Sequence, residues 1–148
     1  MKTPIPILTL FQFLISCSTQ SQINSNSIKI ERIAQHPFLV DHCKQLSVYD
    51  TDGKQMDNVK MYCHPGEGCN SYLFETKEIL IIIDCNGQWF SVNKVNGVII
   101  KEPWQWERPI PENYLGTFFR GSRGEIYSLI KEDKFTINNI YKFKDPFD

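Results

Sequence analysis

Cys43, Cys63, Cys69 and Cys85, with His42 and His64 beside two of them and Glu67 in between, hold the most chemically versatile side chains of this sequence. Cysteine sulfur forms disulfides, and as a thiolate it binds soft metals and attacks electrophiles. Cys63-His64 followed by Cys69, with His42-Cys43 upstream, supplies ligand types that zinc takes. The spacing matches no standard zinc pattern, however, and in an exported chain such cysteines oxidise to disulfides. No metal is expected, and the four sulfurs are read as two disulfides with three possible pairings. The turn-forming run His64-Pro65-Gly66-Glu67-Gly68 favours Cys63–Cys69, which leaves Cys43 for Cys85. That second bridge would close a long loop and contribute a few kcal/mol through the unfolded state. Cys43–Cys69 with Cys63–Cys85 is the main rival.

Other chemistry is sparse. The sequence contains no Gly-x-Ser-x-Gly elbow, no His-Glu-x-x-His and no phosphate-binding loop. Asp50-Thr51-Asp52-Gly53 hints at calcium, but an EF-hand needs its glycine two places later and a glutamate where Met61 stands. It is read as a hairpin turn. His36, His42 and His64 all fall in expected loops, and His64 near Glu67 is the best acid–base pair if the protein is an enzyme. Residues 103–111 form a proline-rich loop carrying Trp104, Trp106 and Arg108, residue types that dominate binding hot spots. The alternative is that the indoles fold back and cap the core. His64, Glu67, Trp104, Trp106 and Arg108 are therefore the candidate partner-binding residues, with no catalytic residue and no cofactor assigned.

The elements that must position these residues are short apolar runs cut by turn residues, which is the pattern of an antiparallel all-β domain. Residues 28–32 are read as a strand, with one helical turn as the alternative. Leu46 to Tyr49 alternates, Asp52-Gly53 signals a hairpin, and Val59, Met61 and Cys63 share one face of the returning strand. Residues 71–76 come next. Ile79-Leu80-Ile81-Ile82-Ile83 then forms a continuous apolar run, as a strand covered on both faces requires. Asn86-Gly87 and Asn96-Gly97 flank Gln88-Trp89-Phe90-Ser91-Val92 and precede Val98-Ile99-Ile100, a three-stranded meander built on two-residue turns. Further strands are expected at 115–120, 125–130 and 135–143, before a loose end at 144–148. The stretch 79–102 resembles one blade of a quinoprotein-type β-propeller, and 117–143 resembles a looser second copy. A propeller needs four or more blades, so the resemblance implies meander sheets, not a propeller or its quinone. The fold expected is a small sandwich or barrel-like domain of meander sheets braced by disulfides.

The N-terminus places this domain. Lys2, an apolar run from Ile5 to Ile15 and the small Ser16 have the three parts of a secretory signal. The run is too short for a membrane-spanning helix, which takes roughly 20 apolar residues. Leu14-Ile15-Ser16-Cys17 resembles the lipobox of bacterial lipoproteins. The resemblance implies cleavage after Ser16 and a diacylglyceryl lipid on Cys17. The alternative is an ordinary signal cut near Ser18 or Ser21. Ser18, rather than Asp, resembles the pattern associated with outer-membrane sorting. Residues 17–27 are polar, with Ile23 alone apolar, and are read as the lipidated cysteine and a flexible tether. Residues 28–148 are read as one β-rich domain.

Composition fits an exported domain of about 130 residues, enough for one core. The formal charge is −1 with lysines and arginines interspersed among acids, which offers no basic patch for nucleic acid. The function expected is that of a lipid-anchored envelope module binding another envelope or secreted protein, of the kind that neutralises a periplasmic toxin or hydrolase. An accessory subunit of envelope assembly machinery, and a ligand-binding or hydrolytic lipoprotein acting on wall or glycan, are the alternatives.

Overall fold

The computed structural model describes residues 22–33, 41–65, 69–103, 108–120 and 126–131, with the backbone alone at 41, 42, 64, 65 and 120. Among these, nine strands form one sheet: β1 (Ile28–Ile33), β2 (Asp41–Tyr49), β3 (Gln55–Pro65), β4 (Ser71–Glu75), β5 (Ile79–Asp84), β6 (Trp89–Asn93), β7 (Ile99–Lys101), β8 (Tyr114–Arg120) and β9 (Ile126–Ile130). The order is β3-β2-β1-β9-β8-β4-β5-β6-β7, and all neighbours are antiparallel. Two meanders, β1 to β3 and β4 to β7, are thus joined by the β8–β9 hairpin inserted between β1 and β4. The outermost strands then approach each other, and Asp57 Oδ2 accepts the backbone N–H of Ile99 at 2.8 Å. The sheet is a nearly closed barrel braced by two disulfides, as the strand pattern anticipates. The strand expected at 135–143 lies outside the described residues.

The hairpins fall where the glycine pairs place them, but their geometry differs from the two-residue turns anticipated. Asn86 keeps negative φ while Gly87 alone turns positive, at 81°. Gly87 N–H donates to Asp84 O and Asp84 N–H to Gln88 O, which makes a three-residue loop of a turn followed by a left-handed glycine. The same pattern recurs at Gly53 between Asp50 and Lys54. Asparagine side chains explain the preference: Asn86 Oδ1 accepts from Gln88 N–H and Asn93 Oδ1 from Val95 N–H, so these residues brace the loop through their side chains.

Period-2 alternation sends Ile28 and Ile30, Leu46 and Val48, Leu80 and Ile82, Phe90 and Val92 inward, where they meet Leu73, Phe118 and Tyr127. Each such buried side chain stabilises the fold by roughly 1.5–3 kcal/mol. β5 is covered on both faces, as its unbroken run requires. Its outward Ile81 and Ile83 pack with Tyr72, Phe74 and Trp89 under Ile110 and Tyr114.

The domain begins earlier than residue 28. Ile23, expected in a flexible tether, is a buried member of the core, and its N–H donates to Lys94 O. Asn24 and Ser27 then cap a single 3-10 turn, Ser25–Ser27, reciprocally. One isoleucine in a polar stretch suffices to dock it because Lys94, itself buried and paired with Glu75 and the Thr76 carbonyl, presents a fixed acceptor.

Candidate functional site

The interior of one barrel end is polar. Lys44 shares its face of β2 with Leu46 and Val48, Ser71 its face of β4 with Leu73, and Asp84 its face of β5 with Leu80 and Ile82. Alternation therefore carries all three inward, and none has any exposed surface. Lys44 Nζ forms an ion pair with Asp84 Oδ1 and donates to Ser71 Oγ and to the Cys69 carbonyl, both at 2.9 Å. Ser71 Oγ donates in turn to Asp84 Oδ1 at 2.8 Å. The Tyr127 ring lies 5.3 Å from the ammonium, and Cys69 Sγ lies 3.8 Å from it. Burial pushes the Lys44 pKa below its ordinary value, while the Asp84 charge and hydrogen bond oppose that shift.

A β-bulge makes room for this lysine. Between the pairs Cys43↔Cys63 and Gln45↔Lys60, β3 spends one residue more than β2, with Lys44 opposite the extra length. Sequence reasoning passed over Lys44, Ser71 and Asp84. The available signal was phase: a lysine in the apolar row of β2 and an aspartate closing the isoleucine run each occupy an inward position.

A lysine hydrogen-bonded to a serine hydroxyl is the arrangement of a base and its nucleophile, and here it is sealed from substrate. A second possibility is metal binding, since Cys69 Sγ, Cys85 Sγ and an Asp84 oxygen lie within 4.8 Å of one another. The two sulfurs are bonded to each other and Asp84 is engaged by Lys44, so none of the three is free to act as a ligand in this state.

The disulfides are Cys43–Cys63 and Cys69–Cys85. This corrects both the favoured Cys63–Cys69 with Cys43–Cys85 and the rival pairing. Local turn chemistry suggested a bridge across residues 64–68, but β2 and β3 set Cys43 directly opposite Cys63, with Cα atoms 4.0 Å apart. The same extension of the ladder overturns the loop assignment of His42 and His64. They are strand residues, paired with each other in register.

Of the candidate contact residues, Glu67, Trp104 and Trp106 lie outside the described residues, as do Cys17 and His36, and for His64 the backbone alone is described. Arg108 folds back: its guanidinium lies 4.4 Å over the Trp89 ring and 3.5 Å from Glu102. Glu102 also binds Ser91, and Ile110 joins the outer apolar cluster, so the end of the proline-rich loop covers the sheet.

Exposed apolar side chains occur on β9, at Ile126 and Ile130, and in a larger group at the barrel seam. Met56 packs on Gly97, one residue from the Asp57–Ile99 bond, and Val98 and Ile100 flank the same bond. Tyr62 projects farther along β3. β3 has a ladder partner along β2 alone and outruns the short β7. No family model, no characterised protein and no solved structure matches this chain.

Proposed function

We propose that this protein is a lipid-anchored envelope module that binds another protein, of the class that neutralises a periplasmic toxin or hydrolase. The observation that carries the reading is the seam. There a long edge strand with one unladdered side carries Met56 and lies beside Val98 and Ile100, the three being 42%, 44% and 56% exposed. An open edge supplies main-chain hydrogen bonds to an incoming strand, and flanking apolar side chains supply burial. Two disulfides and a filled interior keep that edge rigid, which lowers the ordering cost of association. The enclosure of Lys44, Ser71 and Asp84 weighs against the hydrolytic alternative.

In this reading the lipid on Cys17 holds the domain at the membrane, and the partner is an envelope or secreted protein rather than nucleic acid. The test is crosslinking in whole cells, followed by solubilisation in mild detergent and identification of what is captured. Wild type should retain a partner whose toxic or hydrolytic activity falls when the pure domain is added. Met56→Asp combined with Ile100→Asp should lose it while the β-sheet circular dichroism persists. Capture of an assembly factor would move the protein to the accessory class. Capture that survives both aspartates would remove the seam from the interface.

A further inference from the structure

The two disulfides stand in different surroundings. Cys43 is fully buried and Cys63 partly exposed, and the two are directly paired in register, so that bridge is a cross-strand brace. Cys69 and Cys85 both retain partial exposure, and behind them stands the Lys44–Ser71–Asp84 cluster. The Lys44 ammonium is 3.8 Å from Cys69 Sγ and is held there by the Cys69 carbonyl at 2.9 Å. A structural disulfide has no use for a cation at one of its sulfurs. A sulfur that must leave as an anion does, because a neighbouring ammonium stabilises the thiolate over the thiol.

We propose that Cys69–Cys85 is a redox-active disulfide that exchanges with a dithiol, Cys69 being the sulfur that departs as a thiolate onto Lys44. A thiolate of the dithiol attacks Cys85 Sγ. The Sγ–Sγ bond breaks, a mixed disulfide forms at Cys85, and its electron pair leaves on Cys69 beside the ammonium. The second thiolate of the dithiol attacks the external sulfur of the mixed disulfide, closes its own disulfide and releases Cys85, which takes up a proton. The dithiol loses two electrons and the cysteine pair gains them. Of the two protons the dithiol gives up, one ends on Cys85 and the other in solvent.

The polar and aromatic groups around the Lys44 ammonium come from four strands. Lys44 on β2 contacts Cys69, and Asp84 on β5 neutralises part of that lysine. Arg32 on β1 stands opposite Lys44 in register, and Tyr127 on β9 lies over the ammonium. The ammonium in contact with Cys69 Sγ stabilises the departing thiolate, which favours the reduced state and makes the disulfide a better oxidant.

The test uses the oxidised full chain, titrated with dithiothreitol at pH 7, trapped with iodoacetamide and mapped by peptide mass. Cys69 and Cys85 should become alkylated at a dithiothreitol concentration about ten-fold or more below that opening Cys43–Cys63, with the sheet dichroism unchanged. In protein reduced at that bridge alone, the pH profile for alkylation of Cys69 should lie about one pH unit or more below that of Cys85. Lys44→Gln should bring the two profiles together, and Lys44→Arg should keep them apart. Simultaneous opening of both bridges, or coincident profiles in the wild type, would overturn the proposal. The wild-type comparison decides the matter even if Lys44→Gln does not fold.

Discussion

Asp57 closes the barrel without a ladder: its carboxylate spans from β3 to the backbone N–H of Ile99 at the start of β7, 2.8 Å away. Removing one partner of a charged hydrogen bond at a half-covered site costs about 1–2 kcal/mol. Asp57→Ala should lower the urea midpoint accordingly, and Asp57→Asn, which keeps an acceptor oxygen, should lower it less. Hydrogen exchange reads the site directly, because the Ile99 amide must lose protection in Asp57→Ala. Unchanged protection would mean that the seam is held by something else.

Lys44→Met leaves the Asp84 carboxylate enclosed without its ammonium, a change that costs about 3–5 kcal/mol when a buried pair is broken on one side. Adding Asp84→Leu to that variant should recover most of the loss, since the apolar pair no longer has a charge to desolvate. A double variant as unstable as the single one would show that Ser71 and Cys69, not Asp84, are the partners that matter.

The Lys44 pair also predicts a pH dependence. Because burial holds the folded pKa below 10.5, the unfolded chain binds more protons than the folded one between that lowered value and 10.5. The Lys44 contribution to stability therefore rises with pH across that window and is flat above it. Denaturation of wild type and of the Lys44→Met, Asp84→Leu double variant through the alkaline range isolates this slope by difference. A difference that falls with pH would reverse the assigned direction.

Gly116 sits at the β8 bulge, between the pairs Leu73↔Gly116 and Phe74↔Tyr114, with φ at 157°. A Cβ there would collide with the Ile130 carbonyl oxygen of β9. Gly116→Ala should cost about 2–3 kcal/mol from strain and from parting the β8–β9 ladder. Loss of amide protection in β9 before β5 would locate the damage.

Arg108→Ala removes the cation over Trp89 and the Glu102 pair. A loss of about 1 kcal/mol is expected, together with a shift in Trp89 fluorescence in the isolated protein. If partner capture weakens while stability and fluorescence stay at wild-type values, Arg108 belongs to the interface instead.

Much of this architecture is legible in the sequence. The isoleucine run of β5 announced a strand covered on both faces, and Asp52-Gly53, Asn86-Gly87 and Asn96-Gly97 marked three hairpins because a left-handed residue there is cheapest as glycine. What was not legible depends on contacts between distant strands. Lys44 and Asp84 lie 40 residues apart and meet through the strand order alone. The disulfide pairing follows from the β2–β3 register, which a bulge resets between Lys60 and Cys63, so the turn chemistry of residues 64–68 pointed to the wrong partner. Ile23 looked like a lone apolar residue in a tether because nothing local reveals the Lys94 carbonyl that receives it.

The insertion of β8 and β9 between β1 and β4 also governs assembly. Ile30 pairs with Tyr127, and Leu73 with Gly116, so the two meanders share no ladder until residues 114–130 are present. Each meander can form early from neighbouring segments, but joining them must wait for the last hairpin, and such non-local closure is slow. A chain emerging N-terminus first would pass through a stage with the inner edges of β1 and β4 both open. That stage, rather than the finished barrel, is where self-association during folding has its opportunity, and a variant that delays β8–β9 pairing, such as Gly116→Ala, would prolong it.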